Sequence, residues 1–276
     1  MTSGEPWNPY NVTPTEGETH TRFEERRKTY NVVAVNPIVV IPARLASTRL
    51  PDKPLALIHG KPMILHVLDR AEQAAIGPVV VACGDRKIKE AVDRAGGQAV
   101  MTDPALPSGS DRVWAAVKKL DPRGRHDIII NLQGDAPDLK PREIRAVLEP
   151  FRDRNVDITT LVAPLEADRL KDPNTVKAAA ALAPGRRVGY ALYFSRAPIP
   201  SGDGPRYHHV GIYGYRRAAL ARFVGLKQGV LERRERLEQL RALEAGMRIA
   251  VRLIDRVPLE VNTPADLRRA NRIMRG

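Results

Sequence analysis

Residues 39–55 read VVIPARLASTRLPDKPL, and the change of character within them decides the fold. Ile38 to Ile41 is short, β-branched and uncharged, bounded by Pro37 and Pro42. That is the pattern of a fully buried strand. The residues after Pro42 cannot be core. Arg44, Arg49 and Lys53, with the hydroxyls of Ser47 and Thr48, lie in a loop stiffened by Pro42, Pro51 and Pro54. A cationic loop at the C-terminal edge of a first strand is where open α/β sheets bind phosphorylated ligands. On composition alone the same loop reads equally well as a solvated basic surface.

Strands and helices alternate outward from this point. After Pro62, the residues Met63, Ile64, Val67, Leu68 and Ala71 form an apolar stripe at helical spacing. Val79 to Ala82 reads as a strand, Arg86 to Ala95 as a helix ended by Gly96-Gly97, and Gln98 to Met101 as a strand. Ser110 is the expected cap of a helix burying Val113, Ala116, Val117 and Leu120. Ile128 to Leu132 is an apolar strand broken only by Asn131, and Pro141 to about Arg152 a helix. Asp157 to Ala163 is a further strand. Such alternation implies right-handed βαβ crossovers and an α/β fold with a mainly parallel sheet flanked by helices. Strands are also expected over Val176–Ala181, Tyr190–Ser195, Gly211–Arg216 and Ile249–Ile254, with a helix over Leu231–Leu243 and a closing helix over Pro264–Met274. Fewer helices in this half suggest a smaller sheet or lid folded onto the first half.

Composition narrows the partners. The 276 residues carry a formal charge of +13, which favours anionic ligands. Aromatics make up 5% and are not interleaved with basic segments, which weakens a nucleic-acid reading. The lone Cys83 rules out an internal disulfide or a cysteine metal cluster and reads as a buried small hydrophobe. No apolar run approaches the ~20 residues that span a bilayer, and no signal-peptide core is evident, so a cytoplasmic protein without membrane insertion is expected. Residues 1–36 are polar and proline-punctuated. They read as a flexible extension with one short helix near Thr21–Tyr30, ahead of a single domain over 37–276.

Further motifs carry chemistry beside a blander alternative. In Asn131-Leu132-Gln133-Gly134-Asp135-Ala136-Pro137, a carboxylate just beyond a strand end can hold a divalent cation, and Gly134 lets backbone approach a ligand. The alternative is an ordinary turn. Ser108-Gly109-Ser110-Asp111-Arg112 offers free backbone N–H donors before a helix, or simply a cap. Arg196, ending the alternating run Tyr190–Ser195, can pair with a carboxylate or merely terminate a strand. His209 precedes the run Val210–Arg216, and a lone histidine there is more often structural. Leu237, Leu240 and Leu243 face a core, and the charges between Glu232 and Arg241 read as solvated. Asn262 or Thr263 caps the closing helix, with Pro264 at its start.

These motifs, in this order, resemble the sugar-activating nucleotidyltransferases, most closely the 3-deoxy-manno-octulosonate cytidylyltransferases. The resemblance spans about Pro37 to Arg275. It implies a nucleotide-diphospho-sugar transferase (GT-A-like) fold with the acceptor site on the smaller sheet or lid. It implies transfer of CMP from CTP to a 3-deoxy-2-ulosonic acid with release of pyrophosphate, Mg²⁺ as cofactor, a homodimer, and a role in lipopolysaccharide biosynthesis. Carried over by position, Ala43, Arg44, Ser47, Arg49, Lys53, Ser108, Gly109 and Arg112 would hold the nucleotide. Gln133, Arg196, His209, Tyr213, Glu238 and Gln239 would hold the sugar, and Asp135 and Asn262 the metal. Arg44, Arg49, Lys53 and Asp135 would serve the transfer itself. The chain departs from the family pattern at Pro107, where glutamine is usual, at Cys83-Gly84-Asp85, where Thr-Asp-Asp is usual, at Ala136, where glutamate is usual, and at Asn262, where aspartate is usual. The last two motivate a rival reading, a catalytically weak homologue with a binding or regulatory role. The net charge motivates a second rival, a nucleic-acid binder, although the favoured reading has no nucleic-acid partner.

Overall fold

Strand β1 (Pro37–Ala43) alternates its side chains between two cores, and the rest of the sheet is organised about it. Val39, Ile41 and Ala43 point to one face and Ile38 and Val40 to the other, all buried. A short hairpin, β2 (Leu57–Ile58) with β3 (Lys61–Pro62), leads into α1 (Met63–Ala74). The chain continues through β4 (Val79–Cys83), α2 (Arg86–Arg94), β5 (Ala99–Met101), α3 (Gly109–Leu120) and β6 (Ile128–Leu132). Helices α1 and α2 cover one face of the sheet through Ile64, Val67, Leu68, Ile88 and Val92, and α3 covers the other through Val113, Ala116 and Val117. Cys83 is fully buried, as expected. This computed structural model describes residues 35–274. The extension and the helix expected near Thr21–Tyr30 lie outside the described residues.

Next come α4 (Pro141–Ala146), β7 (Ile158–Pro164), β8 (Lys177–Ala181), β9 (Val188–Ser195) and β10 (Tyr207–Arg216). Helices α5 (Arg217–Gly225), α6 (Val230–Glu235) and α7 (Leu240–Glu244), strand β11 (Ile249–Leu253) and α8 (Pro264–Ile273) follow in the described residues. Among the described residues, nine strands form one sheet in the order β5-β4-β1-β6-β10-β7-β11-β9-β8. It is parallel across β5-β4-β1-β6, and β10 enters antiparallel to both β6 and β7. The smaller sheet expected for the acceptor side is the far end of this same sheet. Tyr207 and His208 of β10 also pair with β8, so β10, β7, β11, β9 and β8 close into a ring.

Three local expectations are corrected. The helix expected to run to Arg152 stops at Ala146 and resumes as a 3-10 turn over Glu149–Arg152, because Pro150 has no N–H for the helical ladder. The helix expected over Leu231–Leu243 breaks into α6 and α7 at Arg236, which adopts a left-handed conformation (φ 56°). The fold-back lets the Glu244 carboxylate accept from the N–H groups of Val230, Leu231 and Glu232 at 2.8–3.2 Å. It also lets Arg241 grip Glu232 with two bonds of 2.6 and 2.8 Å. A continuous helix would hold residues 232 and 244 about 18 Å apart. Finally, α3 is capped by Ser108, not Ser110: Ser108 Oγ accepts from the Asp111 N–H at 3.2 Å, and Leu120 is exposed.

Candidate active site

Chain order reverses beside β1: β4 and β5 lie on one side and β6 on the other. Ligands of open α/β sheets bind at such a switch point, beyond the strand ends. Here the loops after β1, β5 and β6 enclose a cavity of about 270 Å³. Ala43 lines it from the end of β1, Arg44, Ser47 and Lys53 from the first loop, Ser108, Gly109 and Arg112 from the start of α3, and Gln133, Gly134 and Asp135 from the third loop. Gly109 presents no side chain to this space; a Cβ there would stand 3.5 Å from Pro42 Cγ and 3.8 Å from Gln133 Nε2.

The cationic loop is seated from beneath by its own small core. Leu50 packs with Ile58 and Met63 against Leu259, Val261, Ala270 and Met274. This cluster ties the loop to the segment leading into α8. Asp85 holds the loop's other end, its Oδ2 accepting from the Leu45 N–H at 2.9 Å. Lys53 Nζ consequently donates to Asp135 Oδ2 at 2.7 Å and to Asn262 Oδ1 at 3.0 Å, and Arg49 reaches the same Asn262 oxygen at 3.3 Å. A backbone bond from Val261 N–H to Asp135 O, 2.8 Å long, fixes the two segments together.

Asp135 and Asn262 thus direct two oxygens at one cationic centre, the Lys53 ammonium. Convergent hard oxygens of this kind suit Mg²⁺, which is commonly held by one or two carboxylates plus substrate phosphates. Among the described residues no group of three or more His, Cys, Asp or Glu forms a complete metal cage. Ala136 is buried in the main core and contributes no oxygen side chain. Glu260 was missed by sequence reasoning. It lines a pocket with Asp135 and Gln133 and stands 3.5 Å from Asn262 Nδ2. Surrounding protein and then the Asp135 charge push its carboxyl up to about 7, although the side chain remains open to the pocket.

Arg112 lines the same cavity and is already engaged by protein acceptors. Its guanidinium borders the cavity but is buried, donating to Thr102 Oγ1 at 2.6 Å and to the Asp103 and Pro104 carbonyls at 3.1 and 3.3 Å. It shapes the loop leading to Ser108. Burial, then the neighbouring Arg44 charge, lower its pKa.

A second cavity of about 420 Å³ shares Gln133 with the first. Arg196, His209, Tyr213, Glu238, Gln239 and Glu260 line it. A bulge in β10 between Val210 and Tyr213 opens the wall at Gly211, and Thr160 Oγ1 bonds the Val210 and Ile212 carbonyls across it at 3.1 and 2.8 Å. His209 lies edge-on to Phe194 at 4.9 Å, with its Nε2 3.0 Å from Thr160 Oγ1. Burial drives its pKa down to about 3, so the ring is neutral. Burial raises the Tyr213 hydroxyl well above its ordinary value. Arg196 is oriented by the Glu235 and Pro173 carbonyls at 3.0 and 2.9 Å, while the buried ammonium of Lys177 holds Arg196's own carbonyl at 2.8 Å. Ser110, displaced from the capping role, donates to Glu238 Oε2 at 3.1 Å. Burial raises the Glu238 pKa, and Ser108 and Arg241 restrain the rise. Glu238 Oε1 and Gln239 Nε2 are buried with no hydrogen-bond partner. Such atoms are costly unless a ligand satisfies them. Every residue expected at the sugar site therefore borders one cavity, and the break at Arg236 puts Glu238 and Gln239 in the turn that faces it.

A profile of the family described as cytidylyltransferase matches residues 38–249. The chain is 61% identical over 240 residues to the 3-deoxy-manno-octulosonate cytidylyltransferase of Rhodospirillum centenum, covering 87% of this chain and 93% of that one. It is 60% identical to the protein of the same name from Paramagnetospirillum magneticum, covering 87% and 98%. Among solved structures it is similar to a CMP:2-keto-3-deoxy-manno-octonic acid synthetase complexed with CTP, with a TM-score of 0.79, 39% identity, and coverage of 86% of this chain and 98% of that one.

Proposed function

Because this chain belongs to the cytidylyltransferase family, we propose that it transfers CMP from CTP to 3-deoxy-manno-octulosonate, releasing pyrophosphate. One observation carries the reading. A cationic cavity at the switch point and a polar cavity with two buried atoms that lack hydrogen bonds, one of them 3.9 Å from Arg241, meet at Gln133. A triphosphate suits the first and a polyhydroxylated acid the second.

In this reading CTP lies along the first loop, with Arg44, Arg49 and Lys53 neutralising the triphosphate and the departing pyrophosphate. The ulosonic acid lies in the second cavity. Arg196 faces its carboxylate, and Glu238 and Gln239 take up its hydroxyls. Neutral His209 and un-ionised Tyr213 offer hydrogen bonds without adding charge. The anomeric oxygen attacks the α-phosphorus in line. The new O–P bond forms as the bond from the α-phosphorus to the bridging β-phosphate oxygen breaks, pyrophosphate leaves, and the proton of the anomeric hydroxyl passes to solvent. The work is positioning and charge stabilisation, so no side-chain nucleophile is required. Mg²⁺, held by Asp135 with Asn262 beside it, would neutralise phosphate charge as it builds.

We further propose a homodimer acting in the cytoplasm. Among the described residues no helix is long and apolar enough to cross a membrane. Pyrophosphate release with CTP, Mg²⁺ and a panel of acceptor acids tests the function. Turnover confined to 3-deoxy-2-ulosonic acids is expected. Tight CTP binding without turnover on any acceptor would favour a non-catalytic homologue.

A further inference from the structure

We infer that Glu260 supplies the second acidic oxygen of the metal site, in place of the carboxylate that position 262 lacks. The inference rests on the cytidylyltransferase reading for the presence of a metal, and on the geometry for the ligand. Asn262 presents its two amide atoms to opposite partners. Its Oδ1 takes Lys53 and Arg49, while its Nδ2 stands 3.5 Å from Glu260 Oε2. The Glu260 carboxylate therefore already lies at the tip of the residue whose usual acid is missing. It shares a pocket wall with Asp135, and the Val261–Asp135 backbone bond keeps the two acids in one frame.

The pairing is chemically consistent. An amide at 262 can donate to Glu260, whereas an aspartate there would repel it. Asp135 and Glu260 together restore two carboxylates for a hard cation that seeks oxygen ligands. Asn262 is then matched to Glu260 and is a positioning residue, so its loss of charge does not mark a decayed site.

Mn²⁺ binding to the nucleotide-free full-length chain, followed by electron paramagnetic resonance, tests this without turnover. Glu260→Gln is expected to weaken Mn²⁺ binding by at least about tenfold, as even outer-shell partners of metal sites do. Asn262→Asp in that background is expected to recover it, and Asn262→Asp alone to gain little, since three acids would then crowd the site. Unchanged affinity in Glu260→Gln, or an equal gain from Asn262→Asp with and without Glu260, would overturn the assignment. Thermal melts of each variant separate ligand loss from unfolding, and a Glu260→Asp variant that retains Mn²⁺ binding supports the proposal if Glu260→Gln folds poorly. A parent that binds Mn²⁺ through Glu260 yet transfers no CMP would refute the functional reading and leave this one standing.

Discussion

Replacing Lys53 with methionine keeps the stem and removes only the ammonium. In the structure that ammonium serves Asp135 and Asn262 at 2.7 and 3.0 Å, with Lys53 and Asp135 side chains 19% and 24% exposed. Partly solvated pairs of this kind contribute about 0.2–1 kcal/mol to stability. For a chain of this size that is a fall of at most about 2–4 °C in Tm. A charge-assisted bond to a triphosphate oxygen is worth more, about 1.5–3 kcal/mol, or roughly 10–150-fold in the Kd for CTP. The two effects therefore separate: CTP binding collapses and folding barely changes. Calorimetric titration with CTP and Mg²⁺, beside a thermal melt of the same preparation, reads both. Lys53→Arg should fall between parent and Lys53→Met, because it keeps the charge but not the compact ammonium. A CTP affinity within about threefold of the parent, with a large drop in Tm, would show that Lys53 is a clamp between two segments and not a phosphate ligand.

Asp135→Asn should remove most metal-dependent turnover while leaving the melting transition near its parent value; pyrophosphate release at the parent rate and Mg²⁺ dependence would exclude Asp135 as a ligand. Gln239→Leu should raise KM for the acceptor about tenfold, one lost hydrogen bond to a buried partner, with CTP affinity unchanged. An unaltered KM would place Gln239 Nε2 outside the acceptor's reach. His209, with its folded pKa near 3, is harder to protonate in the native chain than in the unfolded one. Its contribution is complete above the unfolded pKa of about 6.5 and is lost as pH falls below it, by about 2 kcal/mol at pH 5. His209→Gln should make that part of the stability profile, measured by urea unfolding, shallower while leaving the share due to His208, which burial lowers to about 4; parallel profiles for parent and variant would show that the His209 ring does not titrate as described.

The frame of the site was legible in the sequence because its signals are local. Ile38–Ile41 and Ile128–Leu132 are uninterrupted runs apart from Asn131, and the loops they feed carry the residues that line the first cavity. What escaped depends on distant partners. Nothing near Arg236 announces a break, since neither glycine nor proline stands there. The fold-back is secured by Glu232–Arg241 and by Glu244 reaching the start of α6. Ser108 and Ser110 are equally good caps by residue type, and the choice falls to the position from which Asp111 can reciprocate. Arg112 carries a charge like its neighbours in the motif, but only the fold shows three acceptors already claiming it. Glu260 stands two residues before Asn262, and its chemistry emerges only once Asp135 shares its pocket.

Strand β10 has a mechanical consequence for how the two substrates are brought together. Its first residues are clasped between β7 and β8 and its last between β6 and β7. A single length of backbone therefore belongs both to the ring that carries the acceptor cavity and to the wall beside the nucleotide cavity. Two bodies joined this way cannot swing about a hinge, because any rotation would shear the hydrogen bonds of the strand they share. The nucleotide and acceptor cavities therefore keep a fixed spacing across Gln133, the residue that borders both. The two binding sites are accordingly laid out on one rigid bench.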